Sequence, residues 1–200
     1  MKKELLLIFT KNPELGKVKT RLAASVGDQI ALDIYNFLLN HTHKITQNLS
    51  CEKAVYYSDK VDYNDMWKEN EYQKYQQKGA GLGERMQHAF TNSFKNGYKK
   101  VVIIGSDIFE LHSYHIDEAF KKLDTNDVVV GPAKDGGYYL LATKILHPKL
   151  FKNKNWGTTT VLKNTMQNLS KVNVHLLEEL NDIDIIEDIE NHPTFAHFLN

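Results

Sequence analysis

Apolar residues along this chain follow two rhythms. Short continuous runs occur at Leu5 to Phe9, Ala54 to Ser58, Val101 to Gly105, Asp127 to Gly131, Tyr138 to Ala142 and Val172 to Leu177. Most are β-branched or aromatic and end at Gly, Ser or Asp, which predicts strands. Elsewhere apolar positions recur at i, i+3, i+4 and i+7, which predicts amphipathic helices. One such set is Ala31, Ile34, Tyr35, Leu38 and Ile45 behind a candidate cap at Asp28; another is Met86, Ala89, Phe90, Ser93 and Phe94. Two more are Ile116, Ala119, Phe120 and Leu123, and Leu162, Thr165, Met166 and Leu169 behind Thr158 or Thr159. Strands alternating with helices predict right-handed crossovers and an α/β fold whose mainly parallel sheet is covered on both faces. In such sheets ligands bind beyond the carboxyl ends of the strands. No repeat or low-complexity linker divides the chain, so one domain is expected over residues 1–200.

Composition narrows the class. A chain of 200 residues with 42% apolar side chains can bury roughly 70% of its unfolded surface, and needs neither disulfide nor structural metal. Its single Cys51 forbids an internal disulfide. The longest apolar run, Leu5 to Phe9, is too short for a membrane span or a signal-peptide core, so a cytoplasmic protein without a membrane partner is expected. With 25 basic and 25 acidic residues the formal charge is zero, which argues against a general nucleic-acid binder. The charge is nevertheless polarised. Six of the eight charged residues from Met1 to Arg21 are basic, whereas Glu178 to Asn200 holds seven acids and no Lys or Arg. The two ends are either solvated surfaces or an anion site facing a metal site.

Four segments carry candidate chemistry. After the first strand, KNPELGKVKTRLA places Lys11, Lys17, Lys19 and Arg21 on a loop shaped by Pro13 and Gly16 that feeds a helix. Unpaired N–H groups and a positive dipole end make such a loop suited to polyphosphate, although it is no Walker A loop, and a solvated basic helix start would look the same. In VVIIGSDIFEL, Asp107 ends a central strand, where it can bind Mg²⁺ or simply shape a turn. In NDIDIIEDI, one of Asp182 and Asp184 is a second candidate metal ligand, and the other a candidate cap for a helix starting near Ile185. In GPAKDGGYYLLA, Asp135, Gly136 and Gly137 read as a hairpin turn near the strand ends, with Tyr138, Tyr139 and the more distant Trp156 as ligand walls. Other signals are weaker. Gly79, Gly81 and Gly83 imitate a dinucleotide fingerprint, but YQKYQQ before them is a poor buried strand and the final glycine is missing. The histidines lack zinc spacing, and no nucleophile elbow is present.

Taken in order, FTKNPELGKVKTRLA, LGERM, GSDIFEL, GPAKDGGYYLLA, WGTT and DIDIIEDI resemble the GT-A-like transferases of the selenodomain-associated transferase 1 type. More remotely the chain is similar to 2-phospholactate guanylyltransferase and molybdenum cofactor guanylyltransferase. The resemblance runs nearly end to end. It implies a GT-A-like (Rossmann-like) three-layer α/β sandwich with a mainly parallel, mixed central sheet. It also implies a nucleotide or nucleotide-sugar donor, a small-molecule acceptor and Mg²⁺ or Mn²⁺. By the same resemblance Lys11, Lys19 and Arg21 meet the nucleotide phosphates, Leu82 and Gly83 lie where the base is read, and Asp107 holds the metal with Asp184 or Asp182. The turn from Asp135 to Tyr138 faces the acceptor. Two positions depart from the pattern: Phe9, Thr10 and Lys11 replace a glycine-rich first loop, and Phe109 replaces the proline that usually follows GSD-x. The second departure leaves a non-catalytic nucleotide-binding module as the alternative to an enzyme.

Overall fold

The computed structural model describes residues 3–199. Its sheet comprises β1 (Glu4–Thr10), β2 (Glu52–Tyr57), β3 (Gln73–Gln76), β4 (Lys100–Ile104), β5 (Val128–Pro132), β6 (Tyr138–Thr143) and β7 (Val174–Leu176). The spatial order is β3-β2-β1-β4-β6-β5-β7. All neighbours pair in parallel except β6, which runs against both β4 and β5. The helices are α1 (Thr20–Val26), α2 (Asp28–Thr46), α3 (Leu82–Lys95), α4 (Ser113–Lys122), α5 (Val161–Asn168) and α6 (Ala196–Leu199).

The continuous apolar strands follow from the layering. Leu6, Ile8, Val102 and Ile104 pack on one face with Ile116, Ala119 and Phe120 of α4. Their neighbours Leu5, Leu7, Val101 and Ile103 pack on the other with Met86, Ala89 and Phe90 of α3. Successive strand residues point to opposite faces, so a sheet covered on both sides needs apolar residues at nearly every position. This is the expected three-layer α/β sandwich with a mixed, mainly parallel sheet.

Several local expectations change. Gly27 caps α2, and Asp28 is the first helical residue. Thr160, rather than Thr158 or Thr159, precedes α5. The polar run from Gln73 to Gln76 does form a strand, at the sheet edge, where its side chains remain half-buried or exposed and Tyr75 leans on Tyr56 at 5.1 Å. An edge strand buries little, so its sequence lacks the apolar signature of the central ones. Among the described residues no helix is long and apolar enough to cross a membrane.

Candidate functional site

The strand register brings distant segments to one rim. Ile8 pairs with Ile104, so β1 and β4 release their chains side by side. The Tyr35 hydroxyl of α2 accepts from the Lys11 N–H at 2.9 Å and lies 3.0 Å from Thr10 Oγ1, which in turn accepts from Ser106 at 3.2 Å. Asn12 Oδ1 accepts from the N–H groups of Asp59 and Lys60, and its Nδ2 donates to the Lys60 carbonyl. These buried contacts fix where the first loop leaves the sheet.

That loop ends at Lys19, the residue before α1, with φ 47° and ψ 43°. A left-handed conformation at a residue other than glycine costs of order 1–2 kcal/mol, so the surroundings must hold it. They do so through charge. The Lys19 side chain is only 5% exposed, and its Nζ donates to Asp107 Oδ2 at 2.8 Å and lies 3.9 Å from Asp184 Oδ1. Arg21, largely exposed, donates to Asp184 Oδ2 at 3.0 Å. Burial alone would lower the Lys19 pKa; Asp107, with Asp184 and Asp182 behind it, outweighs burial and raises it. Burial pushes the Asp107 carboxyl up, and the adjacent Lys19 ammonium more than offsets this, holding it below its ordinary value.

The C-terminal segment supplies the opposite wall. Lys134 N–H donates to the Leu180 carbonyl, and Ile183 N–H to the Asp107 carbonyl, so residues 180–183 bridge the β5–β6 turn and the Asp107 loop. Ile183 is buried with Leu22, Ile34 and Phe195. The flanking Asp182 and Asp184 both line the cleft. Neither acts as the expected cap: Asp188 accepts from the N–H groups of Asp184 and Ile185, and the helix there is one 3₁₀ turn, Ile186–Asp188. Burial, then the nearby Asp107 and Asp135 carboxylates, push the Asp182 pKa up to about 6.

Between these walls lies a cleft of about 610 Å³, a size suited to a small molecule. Of the expected residues, Lys11, Lys19, Arg21, Leu82, Asp107, Asp135, Gly137, Tyr138, Tyr139, Trp156, Asp182 and Asp184 line it. The others do not. Lys17 sits on Glu14 at 2.6 Å in an exposed turn whose Gly16 has φ +73°. Gly83 is buried beneath Trp156: a Cβ there would clash with the Phe151 carbonyl and stand 2.7 Å from Trp156 Nε1, so this glycine allows close packing. Gly136, with φ +85°, packs on the backbone of Thr159. The turn has the structural role read from Asp-Gly as well, because Asp135 Oδ1 accepts from the Gly137 N–H at 2.7 Å.

Other cleft residues carry little signal in the sequence. Gln77 donates to the carbonyls of Thr10 and Tyr56, and Arg85 donates to Gly79 O. Gln77 sits in a run too polar to register as a strand end, and Arg85 in a helix marked by its apolar face. Tyr35 stands out only as a core position. Phe109 points away from the cleft and stacks among Phe37, His41, His192 and Phe195, with ring centroids 4.9–5.6 Å apart. Asp107 keeps its contact with Lys19 beside it.

Among the described residues no three His, Cys, Asp or Glu side chains are arranged to cage a metal by themselves. Mg²⁺ does not require such a cage, since one or two carboxylates with water and phosphate oxygens suffice. Burial, and after it the crowding of Asp107 and Asp135, raises Asp182, and a cluster of carboxylates is the donor chemistry such an ion matches.

Comparisons with known proteins agree with this architecture. A Desulfovibrio desulfuricans G20 structure, provisionally a nucleotide-diphospho-sugar transferase, is 30% identical over 96% of this chain and 88% of its own, with a TM-score of 0.84. A cytidylyltransferase from Leptospira borgpetersenii is 15% identical over 100% and 89%, with a TM-score of 0.57. CMP:2-keto-3-deoxy-manno-octonic acid synthetase complexed with CTP is 8% identical over 98% of each chain, with a TM-score of 0.54. The fold is therefore that of the nucleotidyltransferases and nucleotide-diphospho-sugar transferases. No curated protein matches the sequence significantly. Residues 41–158 match the family described as "uncharacterized protein conserved in bacteria" (DUF2064), and because this match spans more than half of the chain, the protein belongs to that family.

Proposed function

We propose that this protein is an enzyme that transfers a nucleotidyl group or a nucleotide-bound sugar to a small-molecule acceptor. The observation that carries the proposal is the meeting of Lys19 and Asp107 at 2.8 Å on the carboxyl rim, inside a cleft also lined by Lys11, Arg21, Asp182 and Asp184. Lys11, Lys19 and Arg21 bind the donor phosphates. Asp107 with Asp184 or Asp182 would hold Mg²⁺ or Mn²⁺, which when bound supplies charge that offsets charge developing on the departing phosphate. Lys19 and Arg21 contribute to the same stabilisation from fixed positions. Leu82, at the start of α3, lies on the side of the cleft assigned to the base. Asp135, Gly137, Tyr138 and Trp156 hold the acceptor so that its nucleophile faces the donor. In nucleotidyl transfer the α-phosphorus is attacked and pyrophosphate leaves. In glycosyl transfer the anomeric carbon is attacked and a nucleoside diphosphate leaves.

The alternative, a module that binds a nucleotide without turnover, rests on Phe109. The packing of that ring away from the cleft leaves Asp107 in place, which favours the enzyme. The test is a panel of nucleoside triphosphates and nucleotide sugars incubated with Mg²⁺ and small-molecule acceptors, following pyrophosphate and nucleoside diphosphate. Release of either supports the proposal and assigns the branch. Tight binding of a donor with no release across the acceptor panel favours the module, and binding of no nucleotide overturns both.

A further inference from the structure

Charge is divided unequally within the cleft. Its lining cations, Lys11, Lys19, Arg21 and Arg85, come from the first loop with α1 and from α3. Two of them are engaged by carboxylates, Lys19 by Asp107 and Arg21 by Asp184. The remaining wall, built by the β5–β6 turn and the segment leading into α5, presents Asp135, Gly137, Tyr138, Trp156, Thr158 and Val161 to the cleft. Among the described residues this wall contributes no lysine or arginine to the lining, and neither Asp135 nor the adjacent Asp182 has a cation within 4 Å.

The chemistry of these groups selects a ligand class. A carboxylate accepts hydrogen bonds, so Asp135 matches O–H donors and disfavours phosphate or carboxylate oxygens. Asp135 is exposed and oriented by the Gly137 N–H on one oxygen, which leaves the other to accept from a ligand. Trp156 is partly exposed, edge-on to Tyr138 with centroids 6.3 Å apart, and offers an apolar surface beside the carboxylates. A molecule with hydroxyls on one side and C–H groups on the other fits both features.

We infer that the acceptor is an uncharged polyhydroxyl compound, with hydroxyls bound by Asp135 and a C–H face on Trp156, and not a phosphate ester or a carboxylic acid. This rests on the transferase reading. The test uses protein saturated with Mg²⁺ and the nucleotide that binds best in the panel. Saturation-transfer NMR is then recorded with matched pairs: glycerol and glycerol 3-phosphate, myo-inositol and inositol 1-phosphate, glucose and glucose 6-phosphate. At least one unphosphorylated member should bind about tenfold or more tightly than its ester. Asp135→Asn should narrow that gap, and Trp156→Ala should abolish transfer to the neutral polyol. Failure of every unphosphorylated member to bind more tightly than its ester overturns the inference, and so does the absence of transfer to every neutral polyol. Failure of every nucleotide to bind sinks the transferase reading itself, whereas nucleotide binding with a preference for esters sinks this inference alone.

Discussion

At the scale of single residues, Lys19 and Asp107 depend on each other. Removing the carboxylate strands a buried ammonium in a strained backbone position, so Asp107→Asn should cost stability as well as function. Because the Asp107 side chain is 38% exposed, solvent screening reduces that cost to about 1–2 kcal/mol. Urea melts should register the loss, Lys19→Met in the same chain should recover part of it, and titration calorimetry should find no Mg²⁺-dependent nucleotide binding by Asp107→Asn. Asp182 behaves in the opposite sense. Its folded pKa of about 6 lies above the 3.8 of an unperturbed aspartate, so the fold favours the protonated form. The cost of ionising it is absent below pH 3.8, grows as pH rises, and is complete above about 6. Every tenfold weakening of the acid costs roughly 1.4 kcal/mol once it is ionised, so Asp182→Asn should stabilise the divalent-free protein at neutral pH by about 1–3 kcal/mol. Melts at low pH should show no gain. Equal stabilisation at both pH values would mean that ionisation of this buried, crowded carboxyl is not the cause.

At the scale of elements, two packing contacts place the walls of the cleft. The start of α3 approaches Trp156 only because Gly83 has no side chain. Gly83→Ala should force the Trp156 segment outward and cost about 1–3 kcal/mol, with a change in tryptophan fluorescence and weaker acceptor binding. Behind the Asp107 loop, Phe109 joins Phe37 of α2 to Phe195 of the C-terminal segment. Phe109→Ala should cost about 2–3 kcal/mol and raise hydrogen exchange across residues 181–199, because those residues dock through this ring cluster. Unchanged exchange there would show that the ring only fills space.

For the molecule as a whole, the site joins parts that share no local sequence: the first loop, the end of β4, the β5–β6 turn and the C-terminal segment. A ligand that bridges them should therefore stabilise the entire fold. At a hundred times its dissociation constant a nucleotide adds about 2.7 kcal/mol, which for a chain of this size raises Tm by roughly 5–10 °C. With Mg²⁺ present a binding nucleotide should produce that shift, and a chelator should remove most of it if Asp107 and its neighbours act through a divalent ion. A full shift in chelator would assign the phosphate grip to Lys11, Lys19 and Arg21 alone.

The fold was legible where burial leaves a pattern. Central strands covered on both faces must be apolar throughout, and helices on those faces must repeat every three or four positions, so the five central strands and the four longest helices could be read directly, as could the edge strand β7 from the apolar run around it. The edge strand Gln73 to Gln76 could not, because its half-buried and exposed positions carry mostly polar side chains and no apolar run marks it. The sequence by itself also determined the chemical types of the site, a cationic loop after β1 and an acid after β4, because residues at strand ends in such a sheet face one rim. The resemblance singled out Lys11, Lys19, Arg21 and Asp107, but the contacts among them were decided by tertiary structure. Lys19, with a left-handed backbone angle, turns inward to Asp107 while Lys17 pairs with Glu14 outside, and Asp182 and Asp184 line the cleft on either side of the buried Ile183. Such choices depend on contacts between residues far apart in the chain, and no local spacing encodes them.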